Sequence, residues 1–245
     1  MSEPTATAPT TADNASVAED FVDIFVSPSK VYARRSKASP LVPYLVICVI
    51  MIALFFSTKN VLAPIFDAKM QQGVAQQMKA NPQLTQEQMD KARPFMNVAI
   101  NVTGVIGVPI LLLVVALVLW VVGRFFMSSS LTYGTALLIL SYSWFPRVIG
   151  GVLGIVQGLV MDVSKMTEPA QVGAGIARFI DPASMSTGLY ALLSQFDLFT
   201  LWSAVLVGIG LQYAGKLDKS KATIAAVIMF VLGCIPSLWQ IMMGR

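Results

Sequence analysis

The sequence predicts an all-α protein, a polytopic membrane bundle of five transmembrane helices of which the third is kinked at Pro146. The first reason is composition, since 56% of the 245 residues are hydrophobic and 12% are charged, whereas soluble domains carry roughly 25% charged residues. The second is a series of apolar runs near the roughly 20 residues that a helix needs to cross a bilayer. The third is the apolar run at residues 131–161, which contains Pro146 and is too long for one upright helix.

Composition also limits the classes of function. The chain has no histidine, which removes the commonest general base and the commonest metal ligand. Cys48 and Cys234 lie within hydrophobic runs, where two buried thiols are favoured over a disulfide or a metal pair. We find no phosphate-binding glycine loop, nucleophile elbow or paired intramembrane carboxylates. The sequence therefore predicts a non-enzymatic protein with no catalytic residue, cofactor or metal. The net charge of +4 does not indicate nucleic acid, because the basic residues mostly flank apolar runs.

Residues 1–38 are predicted to form a disordered tail followed by short amphipathic cytoplasmic helices. Residues 1–17 contain few large apolar side chains, so burial cannot offset their ordering entropy. Beyond them, a basic amphipathic segment precedes the first span. It either lies in the headgroup layer of an anionic leaflet or supplies ordinary positive-inside charge, and the sequence favours neither. The candidate interfacial or partner-binding residues of this segment are Asp23, Phe25, Pro28, Tyr32, Arg34 and Arg35.

The membrane domain is predicted over residues 39–245. Its spans are expected at about 40–58, 95–123, 131–161, 197–214 and 222–243. The polar connection at 57–94 is predicted to be a helical hairpin whose second, short helix opens with a capping box of Thr85 and Gln88. A solvated connector is favoured there over a partner-binding surface. Asp197 is predicted to cap the fourth transmembrane helix, where a carboxylate also meets the helix dipole favourably.

The central run is predicted to be a kinked helix with a packing groove. Pro146 has no N–H and crowds the carbonyl group of Tyr142, so a helix there kinks or breaks. Gly150, Gly154 and Gly158 are spaced four apart on one face, which allows another helix to approach closely. We expect this glycine ridge to serve packing within the bundle or between copies.

Arg147 is the one charged residue in the apolar run, and it is the one charge predicted to lie within the bilayer. The favoured interpretation places it near the headgroups, which its long side chain reaches at low cost. The alternative is an intramembrane polar site at the kink, formed with Tyr142 and Pro146 and facing the bundle interior. In that case its neutral partners would be Tyr142, Gln157, Asn97 or Asn101.

An odd number of spans places the two termini on opposite sides of the membrane. Basic residues are dense in the N-terminal segment and in the loops after the second and fourth spans. The positive-inside rule therefore favours a cytoplasmic N-terminus and a C-terminus outside, although the first loop also carries several basic residues.

Four stretches of the chain resemble the Yip domain family of five-span membrane proteins, which are named for their interaction with Ypt/Rab GTPases. The stretches are Asp23-Ile24-Phe25-Val26-Ser27-Pro28, Tyr142-Ser143-Trp144-Phe145-Pro146, Asp197-Leu198-Phe199-Thr200-Leu201-Trp202 and the region of Gly210. The resemblance covers about residues 20–243 and points to the bacterial branch. It implies a cytoplasmic N-terminus, a non-enzymatic role and association with itself or with other membrane proteins. The first stretch has Phe25 for the tyrosine of the eukaryotic members and lacks their glycine, which argues against GTPase binding.

The leading hypothesis is an integral membrane scaffold or adaptor of the bacterial inner membrane. Its expected partners are the lipid bilayer, other membrane proteins and further copies of itself, and no nucleic acid. The alternative is a small transporter or channel component with a polar path at the Pro146-Arg147 break. A membrane enzyme acting on lipids is disfavoured by the missing histidines and carboxylate pairs.

Overall fold

The structure, a computed structural model, describes residues 16–244, so most of the predicted disordered tail lies outside the described residues. Ten α-helices are described, and they are α1 Val17–Val26, α2 Pro28–Arg35, α3 Leu41–Val61, α4 Ala63–Ala80, α5 Gln86–Val121, α6 Tyr133–Ser143, α7 Phe145–Val160, α8 Thr187–Ser194, α9 Leu198–Tyr213 and α10 Lys219–Met242. Short 3-10 turns connect α7 to α8. No β-strand occurs in this part of the chain, which agrees with the predicted all-α class.

Four helical segments are long and apolar enough to cross a membrane. They are Leu41–Val61, Gln86–Phe126, Tyr133–Val160 and Lys219–Met242. The apolar helix α9 has 16 residues, which at 1.5 Å per residue is about 24 Å, somewhat less than a bilayer core of about 30 Å. The helical membrane architecture is therefore present, with α9 as the short member among the predicted spans.

Successive apolar helices along the chain run in opposite directions where their contacts show it. Lys59 of α3 contacts Asn101 of α5, and Tyr44, near the other end of α3, contacts Pro109, so α3 and α5 are antiparallel. Glycine contacts show the same for the central helices and α9, since Gly150 lies against Phe199 whereas Gly210 lies against Ile139.

The helix α6 forms the centre of the bundle. Its residues from Ala136 to Ser143 are all buried, which one apolar face could not achieve. The helices α3, α5 and α9 surround it, and large apolar side chains on the outer faces of α3, α5, α9 and α10 are exposed. In a membrane protein such faces contact lipid, which is as apolar as the side chains themselves.

The helical path is interrupted at Trp144, between α6 and α7. Pro146 occupies the first turn of α7, where its missing N–H would lack an intrahelical partner anyway. The interruption is therefore two residues before the proline, and the bend predicted at Pro146 itself stays a prediction.

The helix that opens at Thr85 is longer than expected. The predicted capping box is present, with Thr85 and Gln88 each accepting from the other's backbone N–H. The prediction of a separate short helix was wrong, because α5 continues through Pro94 and Pro109 to Val121. A proline removes one backbone hydrogen bond, and the good helix formers Lys91 and Ala92 before Pro94 favour continuation.

Candidate functional site

The helices α1 and α2 form an antiparallel pair, here called the N-terminal hairpin (Val17–Arg35), that packs on the bundle beside the α6–α7 break. Ser16 and Glu19 form a capping box that starts α1. The ring of Phe21 stacks on Phe145 at a centroid distance of 4.9 Å, and Phe25 meets Trp202 of α9 edge-on at 5.4 Å. The hairpin therefore packs against α7 and α9.

A buried carboxylate holds the hairpin together and ties it to the bundle. Asp20 is fully buried, and its two oxygens accept from Arg34 Nε at 2.7 Å and Arg35 Nε at 2.6 Å. The hydroxyl group of Tyr142 donates to Asp20 Oδ2 at 2.9 Å. Arg34 also donates to Asp23 Oδ2 at 2.7 Å. We call these five side chains the Asp20 cluster; a buried charge is stable only when it is paired and hydrogen-bonded in this way.

Arg34 of this cluster is held in its charged form. Burial alone lowers the pKa of Arg34, but the hydrogen bonds and negative charges of Asp23 and Asp20 outweigh it and raise the pKa above its usual value. The cluster is consequently an ionic contact at any pH at which its carboxylates are ionised.

A second polar contact joins α2 to the end of α6. The hydroxyl groups of Tyr32 and Ser143 lie 2.9 Å apart, and Ser143 is 2.7 Å from the carbonyl oxygen of Ile139. If Ser143 donates to that carbonyl, then Tyr32 donates to Ser143. Tyr32 is fully buried, and burial raises the pKa of its phenol well above the usual value, so the group is neutral and able to donate.

Arg147 lies on the other side of the break. Its guanidinium carbon is 5.4 Å from the centre of the Trp144 ring, a cation–π contact. Its Nε is buried and has no hydrogen-bond partner among residues 16–244. Arg147 and Thr200 line both a cavity of about 310 Å³ and a neighbouring cavity of about 250 Å³.

Three of the four neutral partners predicted for Arg147 bind other charged residues. Tyr142 donates to Asp20. Gln157 accepts from Arg178 at 2.6 Å, and Asn101 accepts from Lys59 at 2.7 Å. Each of these three residues thus has a charged partner other than Arg147.

Asp197 lies at the N-terminal end of α9. Its Oδ1 accepts from the backbone N–H groups of Phe199 at 2.9 Å and Thr200 at 3.1 Å, the geometry of an N-cap. The same residue lines the 310 Å³ cavity with Arg147.

The three glycines of the predicted ridge, Gly150, Gly154 and Gly158, each face a different neighbour. A Cβ added at Gly150 would be 2.7 Å from the Phe199 ring of α9, and one at Gly158 would be 2.7 Å from the Leu62 side chain. At Gly154 the nearest atom is the carbonyl oxygen of Val172, at 3.8 Å, in the connection to α8. A spacing of four advances by about 40° per step on a helix of 3.6 residues per turn, so the ridge turns away from a single partner.

The outer side of α9 and α10 carries a groove, here called the α9–α10 groove. Small residues form its floor, namely Ala204, Gly208, Ala222 and Ala226. Its volume is about 420 Å³, and Lys219 and Gln212 lie at one end.

The sequence reasoning gave Asp20 no role at this site. A signal for Asp20 exists, since it precedes buried Ile24 by one helical turn and therefore lies on the apolar face of α1. An acidic residue on an apolar face, followed by the adjacent Arg34 and Arg35, indicates a buried ion pair.

Comparison with known proteins adds three findings. The family model described as the Yip1 domain matches residues 22–240. The membrane protein YknW of Bacillus subtilis is 30% identical over 101 residues, which are 41% of this chain and 42% of that protein. The chain therefore spans less than half the length of this curated relative. No solved structure matches.

Proposed function

Because this chain belongs to the Yip1 domain family, as the match over residues 22–240 shows, we propose that it is a non-enzymatic integral membrane scaffold or adaptor. It acts through helix–helix and protein–protein contacts. The similarity to a Bacillus membrane protein supports the bacterial branch of the family and a bacterial membrane as its location. The inner membrane is the proposed compartment.

The proposed topology has five spans, with α9 as the fourth. The alternating directions of the bundle helices support it, since a chain that reverses at each connection crosses once per helix. Local thinning of the bilayer accommodates a helix of about 24 Å at modest cost. The N-terminus is proposed to be cytoplasmic by the positive-inside rule.

The observation that carries the scaffold proposal is the α9–α10 groove. Its floor of small residues opens to the surface of the bundle between two apolar helices. In lipid no hydrophobic effect drives helices together, and small residues that allow close backbone approach mark where they associate. A transmembrane helix of a partner protein, or of a second copy, is the proposed occupant.

Replacing Gly208 with leucine tests this use of the groove. A Cβ at Gly208 would lie 3.4 Å from Ala226 Cβ, an ordinary contact, and the rest of a leucine side chain would occupy part of the groove. We expect Gly208→Leu to lose partners that co-purify with the wild-type protein in mild detergent. Mass spectrometry of the purified material measures the loss.

Gly107→Leu on α5 is the matched control. At Gly107 an added Cβ would contact only the Thr103 side chain of the same helix, at 3.5 Å. If both variants keep every partner, or if both lose them equally, the groove is not the interface and the scaffold proposal loses its support.

A small transporter or channel component is the second candidate, and one observation favours it. Two cavities of about 310 and 250 Å³ share Arg147 and Thr200 at the α6–α7 break. Flux of small anions and zwitterions into vesicles containing the wild-type protein, lost in Arg147→Ala with assembly intact, would favour transport over the scaffold. No flux above protein-free vesicles would contradict it.

A further inference from the structure

Two opposite charges line one cavity without pairing to each other. Arg147, in the first turn of α7, and Asp197, just before α9, both line the cavity of about 310 Å³. The ion pairs described within residues 16–244 include neither of them. A volume near 300 Å³ is at the lower end of small-molecule sites.

Arg147 offers the groups that an oxyanion needs. A guanidinium carries five N–H donors in a planar fork, which matches two oxygens of a phosphate or carboxylate. Trp144 holds one face of this group, and the buried Nε donates to no described residue. Donors of this kind are costly to leave unmatched in a region of low dielectric constant.

Asp197 offers an acceptor for a cation. Both of its hydrogen bonds among the described residues are accepted by Oδ1. Its Oδ2 therefore retains capacity for an ammonium group. The wall of the same cavity includes Gly173 and Gly175, and a Cβ added at Gly175 would be 2.8 Å from Asp197 Cβ, so a side chain there would crowd Asp197.

From this arrangement we propose that the cavity binds a zwitterion of the phosphoethanolamine class, with its phosphate oxygens on Arg147 and its ammonium group on Asp197. A simple anion would be repelled by Asp197, and a simple cation by Arg147, whereas a zwitterion meets complementary charge at both ends. The same chemistry occurs in a free small molecule and in a phospholipid headgroup. This proposal goes beyond the scaffold function. It names a ligand for the 310 Å³ cavity, which is also one of the two cavities that favour the transporter function. Binding without flux would support it while contradicting transport.

The first experiment measures thermal stability of the full chain in an uncharged detergent, because a ligand that binds the folded state raises its Tm. The probes are free phosphoethanolamine, inorganic phosphate and ethanolamine. For a free ligand we expect phosphoethanolamine to stabilise the wild type more than phosphate and ethanolamine together.

Two variants remove one charge each. Arg147→Gln and Asp197→Asn are each expected to weaken binding at least tenfold, whereas Arg147→Lys keeps part of it. Asparagine is as good an N-cap as aspartate, so Asp197→Asn preserves the start of α9. Arg124→Gln, which changes an exposed arginine in the loop after α5, is the control and is expected to bind as the wild type does.

The second experiment separates the lipid source from the free molecule. The protein is taken from vesicles of equal phosphatidylethanolamine and phosphatidylglycerol, and native mass spectrometry counts the retained lipids. If the wild type retains phosphatidylethanolamine preferentially and both charge variants lose this preference, the site binds a lipid headgroup. If free phosphoethanolamine stabilises the wild type and neither lipid is preferred, the site binds a soluble ligand. Equal retention of both lipids without a response to phosphoethanolamine, equal stabilisation by phosphate alone, or unchanged binding in both variants would overturn the inference.

Discussion

At the scale of single residues, the charged groups of the N-terminal hairpin serve to attach it. Asp20 binds two arginines of α2 and one tyrosine of α6, so a single carboxylate fixes the hairpin internally and to the bundle. Burying such a group costs several kcal/mol per ion before its partners offset it. Removing one partner therefore costs more than the pair contributes to stability, because the remaining charges stay buried and unmatched.

Asp20→Asn is predicted to release the hairpin from the bundle. Breaking a buried ion pair on one side costs about 3–5 kcal/mol, which is more than a 100-fold rise in the population of the opened hairpin. Trypsin cleavage after Arg34 and Arg35 in detergent-solubilised protein measures this opening, since the two sites are part-buried in the closed form.

Cleavage after Lys91 in the same sample is the internal control. Lys91 is an exposed residue whose pair with Glu87 lies far from the hairpin. The role assigned to Asp20 is wrong if cleavage after Arg34 is no faster in the variant, or if cleavage after Lys91 accelerates equally.

Residue contacts that are local in the sequence were predictable, and distant ones were not. Asp197 caps its helix as expected, and the Thr85 capping box is formed, because both patterns depend on neighbours within three residues. The contact between Asp20 and Tyr142 joins positions 122 residues apart. No periodicity reports such a pairing, so the hairpin residues and Tyr142 were identified as separate candidates, and the carboxylate that joins them was not foreseen.

At the scale of helices, the glycines of α7 illustrate what a repeat predicts. The spacing predicted one packing ridge, whereas Gly150 and Gly158 contact different helices and Gly154 faces a connection. The presence of several apolar helices long enough to cross a membrane followed from hydropathy, whereas the continuous α5 did not, because composition alone does not show whether a helix continues through Pro94.

Gly150→Ala and Gly154→Ala are predicted to have opposite effects on stability. Alanine at 150 brings a methyl group to 2.7 Å from the Phe199 ring, so α7 and α9 must separate. Overpacking of this kind typically costs about 1–3 kcal/mol. At 154 the nearest atom is 3.8 Å away, so the gain in helix propensity, about 0.5–1 kcal/mol, remains. Thermal unfolding in the same detergent compares the two, and a Gly154→Ala variant as unstable as Gly150→Ala would show that the ridge packs differently.

At the scale of the whole molecule, the number of crossings decides where each connection lies. With five spans and a cytoplasmic N-terminus, the connections after α4 and α7 are outside and those after α5 and α9 are inside. A bundle in which α9 does not cross would instead place the connection after α9 on the same side as the one after α7. Because α9 is short, the side of the membrane on which the connection after α9 lies distinguishes five spans from four.

Single cysteines in a variant lacking Cys48 and Cys234 test the topology. We expect an impermeant thiol reagent to label Lys91→Cys and Lys165→Cys on intact cells, and Ser130→Cys and Ser220→Cys only after the membrane is opened. All four positions are exposed in the structure, so burial does not limit labelling. Labelling of Ser220→Cys together with Lys165→Cys on intact cells would reduce the spans to four.

The attachment of the hairpin through Asp20 also has a consequence for biosynthesis. The ribosome completes α1 and α2 first, but Tyr142 follows 122 residues later, which at about 5–20 residues per second is a delay of roughly 6–24 s. During that interval the carboxylate has its two arginines but no hydroxyl donor, and the first two spans enter the translocon before the hairpin has a surface to dock on. The hairpin is thus translated well before its docking surface is complete, and a nascent chain stalled before residue 142 would carry it undocked.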